Sequence, residues 1–339
     1  MIRGPERRIM MKKLALVLFL LMAFASSSYA EYSPGYSGSG SGLTSGDPKW
    51  IVTADDLRTL GNQVNADTEP SGRYYVLSRD LNMIYTDYIS IGNVNCGRPF
   101  SGHFDGNNKT IYVQIHPLRE DDEELLSQDR ALFGYIRTTG DYAVKDLHVG
   151  GYAKGYNAAG IVSILSAGEI VNCTVSGDFE AFSIAGSEEE ENKINAGGIV
   201  AYITGGVVSN CVFSGNVSAD GGDFQSTAGG IAGIMSGGQI LRSTVKHYAK
   251  ISAKGNTEDN NPENAGGIVG FATVEDVYTN DSEDTVTYCT FEGGEITSTH
   301  YAGGITGYAR GGQYTQNVSS THCGRNCGEA GGWRIRVQQ

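Results

Sequence analysis

The chain has 339 residues, 48 of them glycine, and carries 25 Lys+Arg against 38 Asp+Glu for a net charge of −13. That acidic balance argues against nucleic acid and against anionic membrane surfaces as partners. Glycine at this density, mixed with β-branched residues, excludes a helical solenoid, and only the N-terminal run approaches the apolar length of a membrane helix, which needs roughly 20 residues.

The chain opens with Arg3, Arg7, Arg8, Lys12 and Lys13, runs through a 12-residue apolar core from Leu14 to Ala25, and then reads Ser-Ser-Ser-Tyr-Ala30 before Glu31. A basic start, a short apolar core and small residues at Ser28 and Ala30 have the three parts of a cleavable secretory signal, and the core is too short to span a bilayer. Residues 1–30 are therefore read as a signal peptide, with Met1, Met10 or Met11 as the start, and the protein as exported: secreted, periplasmic or on the cell surface. Without the signal, 20 basic residues face 37 acidic ones, a net charge of −17.

Residues 31–46 are rich in Gly and Ser, have little to bury, and read as a disordered linker. Residues 47–100 read as an N-terminal cap and first strands, and residues 101–339 as the repeats. Structure is expected to start near Trp50-Ile-Val, followed by a short helix from Thr53 to Val64 with Thr53 as N-cap, Asp55 and Asp56 at its positive end, and Leu57, Leu60 and Val64 on one face. Such a helix would cover an open solenoid end. Short strands follow at Tyr74–Leu77, Tyr88–Ile91, Gly102–Phe104 and Thr110–Ile115, with Asp105-Gly-Asn-Asn108 as a tight turn. Asp105 is accordingly read as a turn residue, not a catalytic acid.

From Ala158 one short run returns five times: Ala158-Ala-Gly-Ile-Val, Ala196-Gly-Gly-Ile-Val, Ala228-Gly-Gly-Ile-Ala, Ala265-Gly-Gly-Ile-Val and Ala302-Gly-Gly-Ile-Thr, at steps of 38, 32, 37 and 37. Each repeat is read as two strands. The first follows the Ala-Gly-Gly, and the second follows a glycine turn, as in Ile170–Val175, Val208–Phe213, Ile240–Val245 and Val286–Phe291. Short strands stacking on their own copies predict an all-β fold, a single parallel β-helix with a short N-terminal capping helix; a propeller would need about four strands per blade. Cys173, Cys211 and Cys289 share one column, with Leu147 and Ser243 at the same position elsewhere, and are expected to stack inward as small buried residues. Cys323 and Cys327 are the candidate small-loop disulfide, and no metal site is assigned.

The residues resemble bacterial surface and secreted proteins built from the GLUG-type repeat, which are similar in pattern to filamentous-haemagglutinin-like, pectin-lyase-like β-helix adhesin passengers. Besides the repeats, the lead-in carries the likeness: Ile51 to Leu60, Tyr75 to Leu81, Ile91-Gly92, Phe100 to Asn107 and Leu132-Phe-Gly134. The resemblance covers roughly residues 50–320. It implies the fold, export and a role in binding or adhesion, and it brings no shared catalytic residues.

Two functions compete. The first is a non-enzymatic exported or surface protein that binds a glycan or a host or partner protein; the second is a polysaccharide-active lyase or glycoside hydrolase, which would need carboxylates or a Ca²⁺ cluster converging on one face. The acidic residues lie instead in loops at 119–124, 187–191, 258–263 and 280–284. No cofactor is implied. Ca²⁺ is the one candidate ion, where acidic loops would gather at one corner, against a plain hydrated fringe. The predicted contact surface is a column of one residue per repeat, Tyr135, Ile164, Tyr202, Ile234, Phe271 and Tyr308, at opposite parity to the inward Leu132, Ile161, Ile199, Ile231, Ile268 and Ile305.

Overall fold

In a computed structural model, the structure describes residues 36, 38, 40–84, 88–115, 129–183, 194–255, 262–273, 285–310 and 313–319. Helix α1, Ala54–Asn65, begins where the sequence places it. The Thr53 side chain accepts from the Asp56 N–H, while the Asp56 carboxylate takes the Thr53 N–H at 2.8 Å, so two of the helix's orphan donors are satisfied reciprocally. Leu57, Leu60 and Val64 enter the core.

Residues 36, 38 and 40–46 are not the free linker the composition suggests. The Tyr36 hydroxyl donates to Gln63 Oε1 at 2.9 Å, and its ring lies 6.0 Å from that of Tyr75. Gly42 donates to the Asp47 carbonyl and accepts from the Tyr74 N–H, both at 2.9 Å. At Gly40, with φ +131°, a Cβ would stand 1.7 Å from the Pro48 carbonyl oxygen. Glycine here permits close backbone approach, a use that composition cannot distinguish from slack.

Beyond the cap the fold is all-β and parallel. Three sheets are present among the described residues: one large sheet of 17 strands, one of five and one of six, with every pairing between named strands parallel. Each full repeat supplies the sheets in a fixed order, so the sequence reading of two strands per repeat is corrected to three faces. The Ala-Gly-Gly run is itself a strand: Asn157–Ala159, Ile194–Gly197, Ser226–Gly229, Asn264–Gly266 and Tyr301–Gly303 make the five-stranded sheet. The expected first strands then form the six-stranded sheet, from Phe133–Arg137 to Thr306–Arg310.

The expected second strand joins the large sheet and bends within it at one residue of positive φ per repeat. Asp146, Asn172, Asn210, Arg242, Tyr288 and Gln316 occupy that bend at φ of +48° to +56°. Asparagine and aspartate tolerate this left-handed conformation best, and Asn172 also donates to Asp146 Oδ1 at 3.2 Å across two repeats. The predicted turn at 105–108 is a bulge inside one long strand, His103–Ile115, with Asn107 and Asn108 at φ +50° and +54°. Of the predicted strand Tyr88–Ile91, only Ile91 is paired, in an isolated parallel bridge to Phe133.

All three sheets bury their inner sides in one apolar cluster that runs from Ile51 to Phe291. Simple alternation fails at the start of the six-stranded sheet. Ile199 and Val200 are both fully buried, as are Ile161 with Val162 and Ile268 with Val269. The chain bends sharply between the two smaller sheets, and a Cβ on Gly198 would meet the Gly230 carbonyl at 2.2 Å and the Phe213 ring at 2.4 Å.

Candidate functional site

The column singled out from the sequence is a physical row. Tyr135 pairs with Ile164, Ile164 with Tyr202, Tyr202 with Ile234, Ile234 with Phe271 and Phe271 with Tyr308, each in register across the six-stranded sheet. Adjacent strands stand roughly 4.8 Å apart, so the row runs along the stack. Tyr135, Ile164, Tyr202 and Phe271 are half-buried and Tyr308 is 38% exposed, but Ile234 is only 2% exposed and belongs to the interior.

The rings lie along the row. Phe271 and Tyr308 stack with centroids 5.5 Å apart and planes 11° apart, and Tyr301 leans on Tyr308 at 5.2 Å. Stacked rings spend their faces on each other and offer edges to the solvent, a geometry suited to apolar side chains more than to the flat side of a sugar. The Ser236 hydroxyl donates to the Tyr202 hydroxyl at 3.1 Å, holding that ring.

In the five-stranded sheet a second column is polar and buried. Thr227 donates to Asn195 Oδ1 at 2.8 Å, Asn195 donates to Asn157 Oδ1 at 2.7 Å, and Asn157 donates to Asp129 Oδ1 at 2.6 Å. Burial pushes the Asp129 carboxyl up to about 6, against the Asn157 hydrogen bond and the neighbouring Arg130 charge, which both lower it. This ladder escaped the sequence reading, although Asn157, Asn195 and Asn264 stand directly before the repeated Ala-Gly or Ala-Ala. At its far end Glu263 and Asn264 are fully buried, and the His300 imidazole bonds to Glu263 Oε2 through Nδ1.

The cysteine column lies where the sequence puts it. Cys173, Cys211 and Cys289 are free and buried, each thiol directed to a main-chain carbonyl: Val171 at 3.3 Å, Ser209 at 3.3 Å and Thr287 at 3.5 Å. Burial pushes the Cys173 thiol well above its ordinary range and that of Cys289 to about 11, so both are protonated and inert as nucleophiles. Cys96 is free and exposed. Cys323 and Cys327, the acidic loops at 119–124, 187–191 and 280–284, and the signal segment lie outside the described residues.

Asp105 accepts the Asn107 N–H at 2.7 Å and pairs with Lys145 at 2.8 Å, as a bulge residue does. Among the described residues no group of three or more His, Cys, Asp or Glu side chains is placed to hold a metal ion. No helix among them is long and apolar enough to cross a membrane. At the capped end, a cleft of 370 Å³ opens between the loop after α1 and residues 99–102, lined by Asp67, Glu69, Tyr75 and Phe100. Of its two acids, Glu69 is engaged within the protein, since its Oε1 takes both Lys49 Nζ and the Tyr75 hydroxyl at 2.5 Å.

No family model matches the chain, and no curated protein matches it. Among solved structures it is similar to the crystal structure of a protein from Bacteroides ovatus described as "a putative immunoglobulin A1 protease". The likeness has a TM-score of 0.53 at 17% identity and covers 82% of this chain and 86% of that one. At that identity it shows a shared fold of parallel β-sheets.

Proposed function

We propose that the three sheets close into a single parallel β-helix of the GLUG-repeat, adhesin-like class, and that the protein is exported and acts by binding. The observation that carries this reading is the in-register row from Tyr135 to Tyr308, an apolar and aromatic strip that is partly open at every described position but Ile234. The N-terminal signal pattern supports export. Edge-on rings favour a protein partner for this strip over a glycan.

The structural neighbour's description suggests a protease as the second reading, and Ser298, His300 and Glu263 do lie together. Their bonds do not make a nucleophile, however. The Ser298 hydroxyl donates to the Glu263 carbonyl at 2.9 Å and accepts the His300 main-chain N–H at 3.3 Å, so it is occupied by backbone. An activated serine would donate to the imidazole. The test is to incubate the mature chain with immobilised extracellular-matrix proteins and glycans, measuring retention and product release together. Retention on a protein, lost when Tyr202 and Tyr308 are both changed to Ala, is expected; turnover without retention would replace binding by catalysis.

A further inference from the structure

One repeat departs from its neighbours on the outer side of the large sheet. In three successive repeats the strand passes through a glycine, Gly151, Gly177 and Gly215, paired in register at φ of +130° to +151°. A Cβ on any of them would stand 1.9–2.0 Å from the carbonyl oxygen of the preceding repeat, so the backbone there is flush with the sheet. The next repeat has no such glycine. Phe213 pairs with Val245 and Val217 with Ile251, so three residues on one side face five on the other. Lys246, His247 and Tyr248 bulge out in that gap. The following repeat has four residues between Phe291 and Ile296, so the insertion is longest here; insertions in a solenoid map to loops that often form its binding face.

The bulge is held firmly. Glu292 of the following repeat holds the two residues before Tyr248, with Oε1 2.7 Å from Lys246 Nζ and Oε2 3.0 Å from His247 Nδ1. The imidazole meets the Tyr248 ring edge-on at 5.0 Å. Tyr248 itself is 86% exposed and sits at φ +71°. That left-handed conformation is unfavourable for a bulky residue, and burial does not repay it, because almost the whole side chain stands in solvent.

Beside the bulge runs an exposed polar row, Asp178, Asn216, Lys250 and Glu295, in register across four repeats. Asn216 donates to Asp178 Oδ1 at 2.7 Å. Amide, ammonium and carboxylate groups of mixed sign thus line up across the sheet through Lys250, two residues from the exposed Tyr248 ring. A protein hot spot would need an apolar surround that excludes water, which this sheet face lacks. A pyranose ring needs one aromatic face to stack on and hydrogen-bonding groups for its hydroxyls.

We propose that Tyr248 is the stacking platform of a glycan site for neutral polysaccharide, with the row from Asp178 to Glu295 receiving the sugar hydroxyls. The site is independent of the Tyr135–Tyr308 row. The mature chain is run in native gels containing galactomannan, xyloglucan or dextran, with polygalacturonate as the acidic comparison. At least one neutral polymer retards the wild type. Tyr248→Ala weakens that retardation at least fivefold, Tyr248→Trp keeps it, and the paired change of Tyr202 and Tyr308 to Ala leaves it unchanged. Tyr248→Gly relaxes the strained backbone and gives the same loss with no fall in Tm, which separates lost stacking from lost fold. Absence of retardation by every neutral polymer overturns the proposal, as does equal retardation of wild type and Tyr248→Ala, or a loss caused by the Tyr202 and Tyr308 pair instead.

Discussion

Asn195 donates to Asn157 Oδ1 across 2.7 Å with both residues buried, and its own Oδ1 accepts from Thr227 at 2.8 Å. One amide thus satisfies a partner in the repeat before and another in the repeat after. A polar group sealed from water is tolerated only when its hydrogen bonds are made, and a chain of them fixes register, because a slip by one residue would orphan each link.

Asn195→Ala removes both links and leaves Asn157 Oδ1 and the Thr227 hydroxyl buried without partners. Orphaned buried groups cost about 1–3 kcal/mol each. The variant is expected to lose at least 2 kcal/mol in urea denaturation, with an unchanged m-value. A loss below about 0.5 kcal/mol, the low end for one net hydrogen bond, would show that water replaces the ladder.

The ladder ends on Asp129, whose folded carboxyl is pushed up to about 6 from an ordinary 3.8. The folded state therefore holds a proton that the unfolded chain has released between about pH 4 and 6. Stability falls as pH rises through that window and stays lower above it. The full shift corresponds to about 3 kcal/mol, an upper bound for a half-buried residue. Asp129→Asn keeps an acceptor for Asn157 and never ionises. It is expected to raise Tm at pH 7.5 and to remove this residue's contribution to the slope between pH 4 and 6; an unchanged slope in the variant would show that Asp129 is solvated.

Gly177 tests the packing of the glycine column. A methyl group there would stand 1.9 Å from the Gly151 carbonyl oxygen, at φ +151°. The backbone cannot yield without breaking the ladder on both sides. Gly177→Ala is expected to cost more than about 2 kcal/mol, beyond the roughly 1 kcal/mol of a left-handed conformation alone. Gly72→Ala serves as the comparison, since Gly72 has φ +69° and open space around it. Equal Tm losses for the two would show that conformation, not contact, decides.

Much of this architecture was legible in the chain because apolar and small residues recur at matched positions. The cysteine column, the helix cap at Thr53 and the register of the row from Tyr135 to Tyr308 all follow from local patterns that tertiary contacts reinforce. Three features were not legible. The Ala-Gly-Gly strand is too poor in β-branched residues to read as a strand, and its neighbours supply the pairing. Tyr36 lies in a Gly/Ser run whose glycines serve close approach to Pro48 and Trp50. The asparagine ladder shows only as single polar residues beside each repeat, and what makes them buried lies in the preceding and following repeats.

The buried thiols give a chemical readout of the same register. With Cys96 exposed, Cys173, Cys211 and Cys289 buried, and the Cys173 and Cys289 thiols pushed up by burial, a disulfide-exchange reagent at pH 8 is expected to label Cys96 at once. Labelling of the other three should wait for unfolding and track denaturant. Fast labelling of Cys211 in the native protein would mean that the stack opens locally.

The row itself divides into structure and surface. Ile234 is 2% exposed between Tyr202 and Phe271, whereas Tyr308 is 38% exposed and rests on Phe271 alone within the row. Truncating a buried isoleucine costs about 2–5 kcal/mol, while the partly exposed Tyr308 ring loses only its contacts with Phe271 and Tyr301, about 0.5 kcal/mol each at the low end for ring pairs. Ile234→Ala is therefore expected to lower stability by at least 2 kcal/mol, and Tyr308→Ala by less than about 1 kcal/mol. Tyr202→Ala falls between them, because it also frees the Ser236 hydroxyl. Chemical denaturation of the three variants checks the order. If Tyr308→Ala proved as costly as Ile234→Ala, the row would be core along its whole length and could not serve as the contact surface.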